Sequence, residues 1–125
     1  MTNMKTGKNL ALAAILILCA LVQGCAKPNE GIIPRVGELY LRPRRDGAYV
    51  VYKVLAVDSH AVHIRTYNAL NAKPGSDLKT TNLDVVSGHA PIDLKGWLKE
   101  KNERIGREPI LDDELEGYNL YLSQH

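Results

Sequence analysis

The chain has 125 residues, enough for one domain with a core of its own. It carries 16 basic and 14 acidic side chains, a formal net charge of +2, and only two cysteines, Cys19 and Cys25. So few cysteines exclude a disulfide-stapled scaffold, and the folded part must hold together by its core.

The first segment stands apart in composition. Lys5 and Lys8 form a short basic start, and Leu10 to Val22 is a run of thirteen residues without a charge. A helix needs about 20 apolar residues to cross the hydrocarbon core, so this run is too short for a permanent span. A basic start, a short apolar run and a small residue before a cut site form the pattern of an export signal. The small residue is Gly24, followed by Cys25. Val22-Gln23-Gly24-Cys25 resembles the lipobox of bacterial lipoprotein precursors. That resemblance implies removal of residues 1–24, a diacylglyceryl group on the Cys25 thiol, and a palmitate-type acyl chain on the new amine. Two or three acyl chains make a stable anchor where one is marginal. Ala26 follows the cysteine in place of Asp, which by the same resemblance implies the outer membrane, facing the periplasm.

Residues 25–36 carry two prolines and a glycine and are expected to be a lipidated tether. The single domain expected over 37–125 opens with strands. Glu38 to Arg42 alternates, with Leu39 and Leu41 on one face; Arg44-Arg45-Asp46-Gly47 then carries the Asp-Gly hairpin signal. Ala48 to Asp58 is a long strand whose near-continuous apolar run implies burial on both faces or a bend around a small barrel. Ala61 to Tyr67 alternates again, with His63 and Arg65 sharing one face. A loop over Asn68 to Ser76 leads to a fourth strand predicted near Leu83 to Val86, broken by Ser87-Gly88-His89-Ala90-Pro91. Asp93 is placed to cap a helix carrying Leu94, Trp97 and Leu98. Asn102 to Gly106 reads as a polar connection. A second helix follows Pro109-Ile110, with Asp112, Asp113 and Glu114 at its positive end and Leu115, Tyr118 and Leu122 on one face. The expected fold is α+β: a small curled antiparallel sheet of about four strands, in an SH3-like or Tudor-like barrel, with two short C-terminal helices.

Charge is distributed unevenly. Lys27 to Lys79 holds nine basic and five acidic residues, and Thr80 to the C-terminus holds five and nine. Such a chain is complementary to itself or presents faces of opposite sign to a partner.

Chemistry-bearing sets are sparse. His60 and His63 are three apart, an odd offset that points strand side chains to opposite faces, so no metal site is expected. The sequence carries no Gly-x-Ser-x-Gly elbow and no Gly-rich phosphate loop, so neither a cofactor nor an enzyme is expected. A small hydrolase built on His89 with Asp84 or Asp93 is the remote alternative. Arg44, Arg45, His63 and Arg65 are the candidate binding residues, on the exposed side of the meander. The polar-tipped Tyr40, Tyr49, Tyr52 and Tyr67 suit a partly wet sheet.

Val36-Gly37-Glu38-Leu39-Tyr40, Lys53 to Asp58 with Val62-His63-Ile64-Arg65, and Glu108-Pro109-Ile110 through Glu114-Leu115-Glu116-Gly117-Tyr118 resemble a group of small bacterial proteins of uncharacterised function. In that likeness Leu111 stands where a hydroxyl helix cap is expected. The sequence is thus read as a non-catalytic binding lipoprotein, most concretely an immunity or inhibitor protein against an envelope-acting toxin or hydrolase. The alternative is an accessory lipoprotein of a secretion or conjugation apparatus. The expected partners are the membrane, through Cys25, and an envelope protein; the envelope address argues against nucleic acid.

Overall fold

A computed structural model describes residues 32–125; the expected leader, Cys25 and the first part of the tether lie outside the described residues. The chain runs β1 (Glu38–Pro43), β2 (Tyr49–Val57), β3 (Ala61–Tyr67), β4 (Val85–Asp93), α1 (Leu94–Lys99), β5 (Glu103–Arg107) and α2 (Glu116–Gln124). Single 3-10 turns occupy Thr80–Asn82 and Asp112–Leu115. The strands form one antiparallel sheet in the order β4-β3-β2-β1-β5. Among the described residues, no helix is long and apolar enough to cross a membrane.

The three-strand meander forms where the alternation predicts it. Asp46 Oδ1 accepts the Ala48 N–H at 3.1 Å and Gly47 takes φ 86°, which closes the β1–β2 turn. In the β2–β3 pair Val54 opposes Ile64, but the partner of His63 is Ala56, leaving Leu55 as an extra residue. This bulge changes the phase of β2. Tyr52, Val54 and Val57 face one side, while Val51 and Lys53 face the other. The near-continuous apolar run is therefore a strand covered on both faces.

On the first face, Tyr40, Val54, Val62 and Ile64 pack against Trp97 of α1. Trp97 meets Tyr40 edge-on, with centroids 5.2 Å apart at 87°. The Asp93 carboxylate accepts the Gly96 N–H at 3.0 Å, the predicted cap of α1. On the second face, Leu41, Val51 and Tyr67 lie under Leu70, Leu78 and Leu83 of the β3–β4 connection.

Three expectations are corrected. The sheet has five strands, not four, and it is open, with β4 and β5 as its edges. The fourth strand runs through Ser87–Pro91 rather than stopping there, because an edge strand tolerates Gly88 and the missing N–H of Pro91. The fifth strand occupies the segment read as a polar connection. Its Glu-Arg-Ile-Gly-Arg sequence has no apolar alternation, and only the distant pairing with β1 makes it a strand. The phase of the last helix also differs. Tyr118 and Tyr121, one turn apart in the helix, face the sheet, and Leu122 is exposed.

Gly37 ties the two ends of this domain together. Its N–H donates to Val54 O and its carbonyl accepts from Glu108 N, both at 2.8 Å. It takes φ 88°, and a Cβ there would sit 2.6 Å from Glu108 O. Gly37→Ala is therefore expected to lower stability by about 1–3 kcal/mol, with an unchanged urea m-value, in equilibrium unfolding.

Candidate functional site

The second face of the sheet carries polar side chains where a core would ordinarily be apolar. Register places Lys53 on β2 between Leu39 and Arg65, and His63 on β3 follows on the same side. Lys53 is 2% exposed. Its ammonium donates to Glu114 Oε1 at 2.8 Å and Oε2 at 3.1 Å, to Pro109 O at 2.8 Å and to Glu108 Oε1 at 3.3 Å. A buried ammonium needs this many acceptors to replace its water.

Both carboxylates are held from a second side. Glu108 accepts the Thr80 N–H at 2.9 Å and the Thr80 hydroxyl. Burial pushes the Glu108 carboxyl up, but hydrogen bonds from Thr80 and the Lys53 charge outweigh it and hold it below the usual carboxylate range. Glu114 reaches back to accept the Leu111 N–H at 2.9 Å. That bond opens the 3-10 turn without the hydroxyl cap expected at Leu111. The Arg65 guanidinium approaches Glu114 at 3.8 Å.

A second polar cluster adjoins it. In the β2–β3 turn, Asp58 Oδ1 accepts the N–H groups of His60 and Ala61, each at 2.8 Å. Asp58 Oδ2 lies 2.8 Å from His63 Nε2. On its other side His63 Nδ1 lies 2.9 Å from His89 Nε2 of β4. The imidazole planes are 14° apart, with centroids 5.1 Å apart. Tyr118 and Tyr121 of α2 cover the pair, their rings 4.7 Å and 5.3 Å from His63. His125 stacks on the outside of Tyr121 at 4.3 Å. Gly117 lets α2 come this close, since a Cβ there would meet the His89 Cβ at 2.9 Å.

Hydrogen-bond logic assigns the protons. The His63 bond, with those of His60 and Ala61, lowers the Asp58 carboxyl to about 2, so it is an acceptor at neutral pH. His63 therefore donates through Nε2. Its bare Nδ1 accepts from His89 Nε2–H. Burial, then the neighbouring His63, holds the His89 imidazole below its ordinary value. The arrangement forms a continuous path along which one proton can shift between two imidazoles beside a carboxylate.

The residues singled out from sequence do not come together. Arg44 pairs with Asp46 at 2.8 Å on the exposed β1–β2 turn, and Arg45 lies exposed beside it. His63 is fully buried rather than on an exposed face, and Arg65 is half-buried over Glu114. The covering C-terminal segment is the reason: it occupies the side of the meander expected to be free. His89 meets Asp58 through His63, and neither Asp84 nor Asp93 bonds to it. A groove of about 450 Å³ lined by Val36, Gly37, Arg107, Glu108, Pro109 and Ile110 borders the clasp at Glu108 and includes neither histidine. Among the described residues, no three His, Cys, Asp or Glu side chains gather as a metal site.

Sequence reading missed the Lys53 clasp and the histidine pair because each joins distant strands and turns. One signal was present. The basic first half and acidic second half meet in Lys53 with Glu108 and Glu114, in Lys73 with Glu103, and in Arg42 with Glu100. The chain is complementary to itself.

Compared with protein-family models, with curated proteins and with solved structures, the chain matches none.

Glu114→Leu leaves the buried Lys53 ammonium only Glu108 and Pro109 O as acceptors, so it is expected to cost about 1–3 kcal/mol in chemical denaturation. Lys53→Met combined with Glu114→Leu should recover much of that loss, because the double variant leaves fewer buried charges to satisfy.

Proposed function

We propose that the chain is a lipid-anchored protein of a bacterial envelope, held through Cys25 at the outer membrane and facing the periplasm, and that its domain binds a protein partner without catalysis. Its most concrete form is an immunity or inhibitor protein that masks an envelope-acting toxin or hydrolase. The N-terminal sequence supports the anchor. One observation carries the binding reading: β4 is a nine-residue edge strand that, among the described residues, pairs only with β3.

Long apolar edges invite strand pairing, and proteins ordinarily blunt them with charge. The first eight residues of β4, Val-Val-Ser-Gly-His-Ala-Pro-Ile, carry no Lys, Arg, Asp or Glu, and Val85 and Val86 are 44% and 62% exposed. The opposite edge, β5, is short and carries Glu103, Arg104 and Arg107. The contrast supports β4 as the edge on which a partner adds a strand, with main-chain bonds for affinity and Val85 and Val86 for contact. The binding surface thus moves from the face of the meander to its edge, and Arg44 and Arg45 lie on the β1–β2 turn rather than on β4. Bulges in the β2–β3 and β1–β5 pairs, with the return of β5 to β1, support reading the sheet as an opened SH3-like or Tudor-like barrel.

The test is crosslinking and co-purification of the tagged full-length protein from its bacterial host, beside Val86→Lys. One stoichiometric toxin or hydrolase is expected, with recovery falling at least tenfold in V86K while its circular dichroism stays unchanged. A set of envelope-machine subunits would replace the inhibitor reading with the accessory one. Recovery unaffected by V86K would remove β4 as the surface, and the absence of any protein partner would sink the binding reading itself.

A further inference from the structure

The histidine pair has a capacity that the partner-binding reading does not use. Helix α2 is weakly rooted: none of its residues is fully buried, and Leu120 and Leu122 are exposed. Its hold on the sheet comes from Tyr118 and Tyr121 lying over His63 and His89, and from the close approach of Gly117 to His89. What happens to the two imidazoles therefore decides whether α2 stays down.

The pair can accommodate one added proton. Proton uptake at His89 Nδ1, with transfer of the Nε2 proton across the 2.9 Å hydrogen bond to His63 Nδ1, leaves His63 an imidazolium against the Asp58 carboxylate. His89 is then neutral and accepts through Nε2. A second proton has no such place. It would put an N–H on both facing nitrogens, two donors 2.9 Å apart, and two positive rings beneath the tyrosines. Only by separating can the rings take it.

We infer that His63 and His89 form a one-proton lock on the C-terminal helix, and that acidification releases α2 from β4 while the rest of the sheet stays folded. The groups facing the lock come from four elements. The β2–β3 turn contributes Asp58, with exposed His60 beside it; β3 contributes His63, with Arg65 two residues along; β4 contributes His89. The helix contributes Tyr118 and Tyr121, with His125 stacked outside. Among the described residues Asp58 is the one carboxylate bonded to the pair, and it neutralises one positive ring, not two.

The sign follows from the depressed His89. A histidine whose folded value lies below its unfolded one contributes stability present above about pH 6.5, and that stability is lost as pH falls below it. The Glu108 carboxyl of the Lys53 clasp is held below the usual carboxylate range, so its contact with Lys53 outlasts the histidine step as pH falls and the effect separates from general acid unfolding.

The experiment is hydrogen exchange with mass spectrometry on the full-length protein at pH 7.5 and 5.0, corrected for the intrinsic pH dependence of exchange. Opening of α2 should rise at least tenfold, while β1, β2 and α1 keep their protection. His89→Gln keeps an N–H donor toward His63 and removes the second titrating ring, so its α2 should stay protected at pH 5.0. His125→Gln should respond as the parent does. Long-range 1H–15N spectra of the unmutated protein provide a readout that needs no variant. They should show His63 protonated at Nε2 alone at pH 7.5, and one proton taken up by the pair before α2 opens. Uniform loss of protection across the sheet, an H89Q helix that still opens, or two histidines titrating independently would each overturn the lock.

Discussion

The fold depends on one buried ammonium. Lys53 sits at the centre of β2, where a hydrophobic side chain would pack without conditions, and it imposes conditions instead. Its Nζ must be met by oxygen from several directions, and the chain supplies that oxygen from Glu108, Pro109 and Glu114, up to 61 residues away. The 3-10 turn and the helix after it are positioned by this demand. Thr80 holds Glu108, and the Leu111 N–H holds Glu114, so the clasp draws the β3–β4 connection and the C-terminal segment onto one face of the sheet. Buried ion pairs seldom add much stability relative to apolar replacements, but a buried charge left without its partners is costly.

The phase of β2 makes this possible. Without the extra residue at Leu55, Val57 would fall on the side of Lys53 and the tryptophan face would lose part of its wall. The bulge lets a single strand line an apolar core under α1 and a polar layer under α2. The histidine pair is the second product of that layering. His63 projects from the same side as Lys53 and Arg65, and the helix that the clasp positions becomes its cover. Charge and proton chemistry thus occupy adjacent stretches of one face, the first holding the C-terminal segment and the second placed where that segment is most weakly attached.

Much of the architecture was legible in the residues themselves. Period-two alternation located β1 and β3, a near-continuous apolar run located β2, and Asp93 marked the start of α1. Burial of β2 on both faces was one of two readings of its apolar run. The remainder was hidden for a common reason. Strand β5 has no pattern of its own, and β4 passes through Gly88 and Pro91, so both are strands by virtue of their neighbours. His63 and Arg65 were read as an exposed pair because alternation says which residues share a face but not what will cover it. The cover was encoded 49 residues further on in Glu114, visible only as an excess of acid in the second half.

The clasp also sets the order in which the molecule can be completed. Lys53 is synthesised well before Glu108 and Glu114, and until both emerge the centre of β2 carries a charge with no counter-ion. The first three strands can pair, but burying the lysine face at that stage would strand the ammonium in an apolar environment. Final packing is thereby deferred until Glu114, 61 residues further on, is present, which raises the contact order and slows closure. A nascent chain of this kind remains open until that segment has been made. A chain cut short before Glu108 has no means of finishing.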